Sequence, residues 1–293
     1  MAYALVMRRR LPPVLAIASI AVAWGAIPLI VREDIPASQL VATRVLFGGL
    51  AMFAVLAVRR DMSIPRAQVP RVVGLGAILA AHWLTFFLAI KATSVAVALA
   101  ILYLGPMVAS FLAPRILGEH FGRKAALGLA PAVIGTMLVL SPGSGATLRG
   151  IALAGVSAAL VTTLLLVGKP AAEAVGGLKL ATYEMLAAAV LLLPWSVAAA
   201  RDSTHLWREL LVLGVLLTGV AFAVYWVMMV ELPVSTTAVL MYLEPASAAV
   251  LAAVVLGERT PVFAWIGIFL VILGGVTVAV GADDPMVELH PLG

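Results

Sequence analysis

Tyr103-Leu104-Gly105-Pro106, inside the fourth of a series of apolar runs, returns 139 residues later as Tyr242-Leu243-Glu244-Pro245, and the reading of this pair decides the fold. With the chain laid on itself at that offset, nine of the seventeen positions from 103 to 119 are identical: Tyr103, Leu104, Pro106, Ala109, Leu112, Ala113, Leu117, Gly118 and Glu119. Gly128 and Gly135 carry the same register onto Gly267 and Gly274. Five apolar runs fill one period. A unit with an odd number of membrane crossings inserts its second copy upside down, so the repeat predicts two inverted five-helix halves, residues 1–145 and 146–293.

Composition agrees. At 63% hydrophobic and 11% charged residues, with a mean hydropathy of +1.14, the chain lies too far from the half-apolar average of soluble domains to fold in water. Runs of about 20 apolar residues are what a helix needs to cross about 30 Å of hydrocarbon. Ten are expected, near 11–31, 38–58, 72–91, 94–117, 124–141, 150–168, 179–199, 209–230, 235–256 and 262–281. The fold class is therefore an all-α membrane protein of ten transmembrane helices. Arg8-Arg9-Arg10 before the first run resembles a signal-peptide start, but the run is long enough to span and similar runs follow, so it reads as a retained first helix.

The net charge of +5 does not point to nucleic acid, because Lys and Arg sit in short connections between apolar runs rather than on one face. They report topology instead. With the N-terminus inside, twelve fall on the cytoplasmic side and six on the other, while Arg44 stays within a span. That asymmetry predicts both termini in the cytoplasm, in a bacterial-type inner (plasma) membrane. Zero cysteines remove disulfides and thiolate metal sites. No phosphate loop, H-E-x-x-H or G-x-S-x-G occurs, and the connections leave no room for a catalytic domain. The expectation is no enzyme, no cofactor, no metal, and a function inside the bundle.

Pro106 and Pro245 lie near the middle of their spans, and each withholds an amide from the carbonyl four residues earlier, Leu102 or Met241. Paired interruptions at equivalent places suggest gating kinks or a cavity wall, against the alternative of kinks made for packing. Tyr103 and Tyr242, almost a helical turn before the prolines, either face a common central space or pack with their hydroxyls on neighbouring carbonyls. Glu244, which stands where the first half has Gly105, reads as a brace in preference to a proton-coupling group. Arg44, roughly 9 Å inside its span, is deep for a guanidinium; an anchoring pair with Glu244 is preferred to a clamp on a substrate carboxylate. Glu184 is shallow enough in this reading to snorkel.

His82 has only Ala221 opposite it in the repeat and is read as a cavity residue. Trp83, Phe86 and Phe87 fall on Phe222, Tyr225 and Trp226. Of these two aromatic patches, Phe86 and Tyr225 are expected to line the path and the others to pack.

Trp24-Gly25, Arg44, the stretch from Leu102-Tyr103-Leu104-Gly105-Pro106 to Leu117-Gly118-Glu119, and its echo from Leu243-Glu244-Pro245 to Leu256-Gly257-Glu258-Arg259 together resemble the EamA-type branch of the drug/metabolite transporter superfamily. The likeness runs over nearly the whole chain and rests on arrangement, one motif closing the fourth helix and one the ninth. Ten-helix members similar to this chain include exporters of aromatic amino acids, of threonine and homoserine, and of other metabolites. The resemblance implies alternating access around a central cavity. The expected function is export of small metabolites, amino acids with aromatic or bulky apolar side chains first. Trp24, His82, Phe86, Tyr103, Tyr225 and Tyr242 would form the cavity, with Arg44 and Glu244 bracing helices or meeting the zwitterion. Proton coupling through His82 or Glu244 and uncoupled diffusion fit equally, and no oligomeric state is implied. The alternatives are a multidrug or nucleotide-sugar-type carrier and, from another class, a membrane enzyme or assembly factor. Thr163, opposite Trp24, departs from the repeat.

Overall fold

The computed structural model describes residues 2–27, 35–93, 95–140, 147–256 and 261–281, and every regular element among them is helical. In the first half α1 covers Ala2–Trp24, α2 Ala37–Arg59 and α3 Val69–Ala92. The fourth run divides into α4 (Val95–Leu102) and α5 (Leu104–Ile116), and α6 (Arg123–Val139) follows. The second half holds α7 (Leu148–Val175), α8 (Gly177–Leu191), α9 (Leu193–Asp202), α10 (Trp207–Leu211), a π-helical stretch over Val212–Val220, and α11 (Ala221–Met229). It continues with α12 (Val234–Met241), α13 (Leu243–Leu256) and α14 (Val262–Gly281).

Helices are what these runs must form if they lie in lipid, where a backbone amide or carbonyl has no water to bond and has to be satisfied within its own segment. Among the described residues six are long and apolar enough to cross a bilayer: Ala37–Arg59, Arg66–Ala92, Val95–Ile116, Leu148–Val175, Trp207–Met229 and Val234–Val255. Pro12–Trp24 and Val262–Val278 are apolar but shorter. Leu127, Ile134, Phe269 and Ile272 stand exposed on the outer surface, a placement that suits hydrocarbon and not water.

The run expected to span continuously over 179–199 is bent instead. α8 and α9 meet at 75°, turning about Leu192. Pro194 is the local cause: it has no amide hydrogen for the carbonyl of Val190, so the α8 ladder ends there and a new helix begins.

The repeat is visible in the packing. α6 and α14, equivalent helices of the two copies, make the most extensive helix contact among the described residues. A Cβ on Gly128 would sit 2.8 Å from the Gly274 carbonyl oxygen, and one on Gly135 would sit 2.5 Å from that of Gly267. Only hydrogen fits at such a backbone-to-backbone approach. Because the earlier glycine of one helix meets the later glycine of the other, α6 and α14 run antiparallel, as inverted copies require. Elsewhere the halves interleave: α3 packs on α7 and α8, α2 on α8 and the π-helical stretch, and α1 on α11 and α13.

Candidate functional site

The two prolines each occupy the third position of a fresh helix, Pro106 in α5 and Pro245 in α13. A first turn tolerates proline because its amide has no partner inside the new helix, but the carbonyls of the preceding helix, Leu102 and Met241, go without their donor. The helices are interrupted three residues earlier, at Tyr103 and Tyr242, each a single residue between two helices. Met241, whose carbonyl loses its partner to Pro245, accepts a bond from the Tyr103 hydroxyl at 3.1 Å. Tyr103 also points at Glu244 Oε2, 2.8 Å away, and its own carbonyl accepts from the Tyr242 hydroxyl at 2.7 Å. The two rings lie 5.1 Å apart. Each half's break is thus stitched to the other's.

Beside this stitch is a cavity of about 290 Å³, the lower end of the size range of small-molecule sites. Trp24, Arg44, His82, Phe86, Tyr103, Pro106, Tyr225 and Glu244 are all on its wall. It reaches from the middle of the bundle to the end marked by Ile35, Lys91 and Val95. Lys91 donates to the Ile35 carbonyl at 2.8 Å.

Arg44 is 4% exposed. Its Nε donates to Thr218 Oγ1 at 3.0 Å, and its guanidinium carbon lies 4.6 Å from the centre of the Trp83 ring and 5.6 Å from that of Phe87. Aromatic faces attract a desolvated cation. The expected pairing with Glu244 is not made: both residues line the cavity, but no ion pair joins them. The Trp24 indole N–H donates to the Leu217 carbonyl at 2.8 Å, and the Trp24 ring leans on Phe222 and Tyr225 at 6.2 and 5.9 Å. Leu217 and Thr218, which hold Trp24 and Arg44, both lie in the π-helical stretch, a conformation often found at functional sites. His82 Nδ1 is 3.0 Å from the Ser157 carbonyl and 2.9 Å from its hydroxyl, and that hydroxyl is 3.0 Å from the His82 carbonyl.

Two expected members fall elsewhere. Tyr242 and Pro245 are buried but are not among the lining residues; Tyr242 sits behind Tyr103, in the packing role its alternative reading gave it. Glu184 differs most. It is fully buried rather than snorkelling, because α8 is enclosed by α2, α3 and α11, and its carboxylate accepts the Trp226 indole N–H. Its Oε2 has no partner among the described residues. Lys91, Ser157 and Thr218 escaped sequence reading altogether. Lys91 looked like a topology charge, and a Ser or Thr on an apolar helix carries no signal. Trp83, Phe87, Phe222 and Trp226, read as packing residues, also reach the wall.

A helical bundle of two inverted copies, with paired breaks and between them a mainly apolar, aromatic-lined cavity carrying a few polar groups, has the architecture of a membrane transporter. The chain belongs to the EamA-like transporter family, whose model matches residues 11–141 and again residues 148–280. The family places it with membrane transporters rather than enzymes and agrees with the drug/metabolite transporter superfamily. A solved structure titled "Crystal structure of protein" is similar in fold, with a TM-score of 0.78 and 20% identity over 93% of this chain and 98% of that one. No curated protein matches the chain.

Proposed function

We propose that this transporter carries amino acids, aromatic and bulky apolar ones first, and exports them from the cytoplasm by alternating access. The observation that carries the reading is Arg44. It is buried on the cavity wall with only Nε hydrogen-bonded among the described residues, which leaves the Nη1/Nη2 fork for a ligand. A fork of two parallel N–H donors is matched bidentately by a carboxylate. Glu244 on the same wall supplies the opposite charge for an ammonium, and Trp24, Phe86, Phe222 and Tyr225 supply an apolar, aromatic surface for a side chain.

In this reading ten spans form two inverted halves, residues 1–145 and 146–293, with both termini in the cytoplasm of a bacterial-type inner membrane. The twelve-to-six asymmetry of Lys and Arg supports that orientation. The Lys91 end of the cavity then faces away from the cytoplasm. Bending near Pro106 and Pro245 exchanges access.

The stitch also suggests where a coupling proton would sit. The Tyr103 hydroxyl has one hydrogen and two acceptors in reach, the Met241 carbonyl and Glu244 Oε2. A protonated Glu244 would donate to the tyrosine oxygen and free its hydrogen for Met241, so every group is satisfied only when a proton is bound.

Uptake into proteoliposomes is the test, with a labelled panel of aromatic, aliphatic and hydroxy amino acids, an organic dication and a nucleotide sugar, each with and without a pH gradient. Saturable amino-acid uptake that responds to the gradient supports both claims, whereas movement of the dication or nucleotide sugar alone overturns the substrate. Amino-acid uptake indifferent to the gradient removes the coupling role of Glu244.

A further inference from the structure

Gly118-Glu119, the first copy of the repeated Gly-Glu that ends the motif, is not among the residues lining the cavity, and the structure gives it a separate task. Gly118 follows α5 with φ of +69°, a left-handed conformation that glycine adopts without strain, and it turns the chain so that Glu119 points back into the bundle. Glu119 Oε2 accepts the amide of Val234, the first residue of α12, at 2.7 Å. Its other oxygen pairs with Lys169 of α7, which also donates to the Leu232 carbonyl. The lysine side chain is only 9% exposed and the glutamate 14%. One carboxylate of the first half therefore holds two elements of the second. The equivalent Gly257 and Glu258 lie outside the described residues.

The position of this tie matters. α7 starts beside the Lys91 end of the cavity, where the Thr147 hydroxyl donates to the Ala92 carbonyl. Lys169 lies 21 residues beyond Leu148, about 32 Å along the helix axis, at the opposite end of the bundle. The cavity wall ends short of it: Leu165, one turn before Lys169 on the same face of α7, lines the cavity, and Lys169 does not. Other bonds at this end also cross between halves, from Arg71 Nη2 to the Val167 carbonyl at 3.1 Å and from Lys179 to Asp61 at 2.6 Å, but Asp61 is more than half exposed, where such pairs contribute little.

We propose that Glu119 and Lys169 form the latch that closes this end of the transport path, and that it must part for the cavity to open there. The inference rests on the alternating-access reading but not on the substrate. Charge-assisted bonds away from water are strong enough to set a two-state equilibrium and, being two contacts on one carboxylate, they are lost together.

The natural absence of cysteine makes the test direct. A Leu165→Cys reporter is labelled with a membrane-impermeant methanethiosulfonate applied to either side of sealed vesicles, in the full chain, with Glu119→Gln or Lys169→Met added. Loss of one charge-assisted bond is worth about a factor of ten, so each latch variant should raise labelling from the Lys169 end about tenfold and lower it from the Lys91 end. A second measurement covers variants that fold poorly. Glu119→Cys with Lys169→Cys, joined by a short bis-methanethiosulfonate, should lose transport and regain it on reduction. Full transport in the cross-linked protein overturns the latch. So does a Leu165→Cys signal that moves between sides with substrate yet ignores Glu119→Gln; transport with no side-to-side change in any variant sinks alternating access itself.

Discussion

The two halves share a scaffold and differ where chemistry is done. Tyr103 and Tyr242, Pro106 and Pro245, and the crossed glycine pairs are repeated residues, and they build the helix breaks and the close packing of α6 on α14. Most polar groups of the cavity fall where the copies disagree. Arg44 stands opposite Tyr183, His82 opposite Ala221, Lys91 opposite Val230, Trp24 opposite Thr163, and Glu244 opposite Gly105. Duplication supplies two copies of one scaffold; a ligand with a head and a tail, as the proposed substrate has, needs an asymmetric site, which only divergence can supply.

The largest effect should come from erasing the most divergent residue. Arg44→Ala is expected to lower transport kcat/KM by about 100-fold or more, since a buried charge-assisted contact to a ligand carboxylate is worth about 3 kcal/mol. Arg44→Lys should recover little, because an ammonium is a point charge and not a fork. A lysine variant with near-native uptake would show that Arg44 only holds Thr218 and the Trp83 face.

Exchange at the position where the stitched helices differ should come next. Glu244→Gln keeps the shape and removes the charge, and about a tenfold rise in KM for a zwitterion is expected while the protein stays monodisperse. Gly105→Ala should do the reverse. A methyl there would lie 2.5 Å from Val161 Cγ1 and 2.6 Å from the Ala158 carbonyl oxygen, so α5 would have to move off α7. Overpacking of that kind costs about 1–3 kcal/mol and should appear as a lower melting temperature in detergent. An equal thermal loss in both variants would erase the distinction between scaffold and site.

The sequence exposed the scaffold more readily than the site, for a physical reason. Repetition leaves an offset that can be counted, and helices in lipid are obliged by their own backbone, so the inverted halves and both breaks could be read from Tyr103-Pro106 and Tyr242-Pro245. Cavity membership depends on helix rotation, which apolar sequence does not encode when lipid and core are both apolar. Tyr103 and Tyr242 were therefore indistinguishable until packing put one in front of the other. The preferred Arg44–Glu244 pair assumed that a buried cation needs a carboxylate, whereas a hydroxyl and two aromatic faces hold it. Glu184 was misjudged because depth along a span does not say what surrounds it, and α2, α3 and α11 enclose α8 at that level.

The smallest effects should separate those two tyrosines. Tyr103 uses its hydroxyl on Met241 and Glu244 and sits on the cavity wall, while Tyr242 uses its hydroxyl only on the Tyr103 carbonyl. Phenylalanine keeps either ring in place and removes one oxygen. Tyr242→Phe should cost about 1 kcal/mol of stability, the net value of one buried hydrogen bond, and leave KM within about twofold. Tyr103→Phe should cost a similar amount in stability, but it also strips Glu244 of its donor and leaves the Met241 carbonyl unpaired at the break. Its distinguishing signature is a change in transport that Tyr242→Phe lacks: a raised KM and a weaker response to the pH gradient. If the two variants instead match in melting temperature, KM and gradient response, the tyrosines are equivalent packing residues, and the asymmetry that matters lies in Arg44 and Glu244 alone.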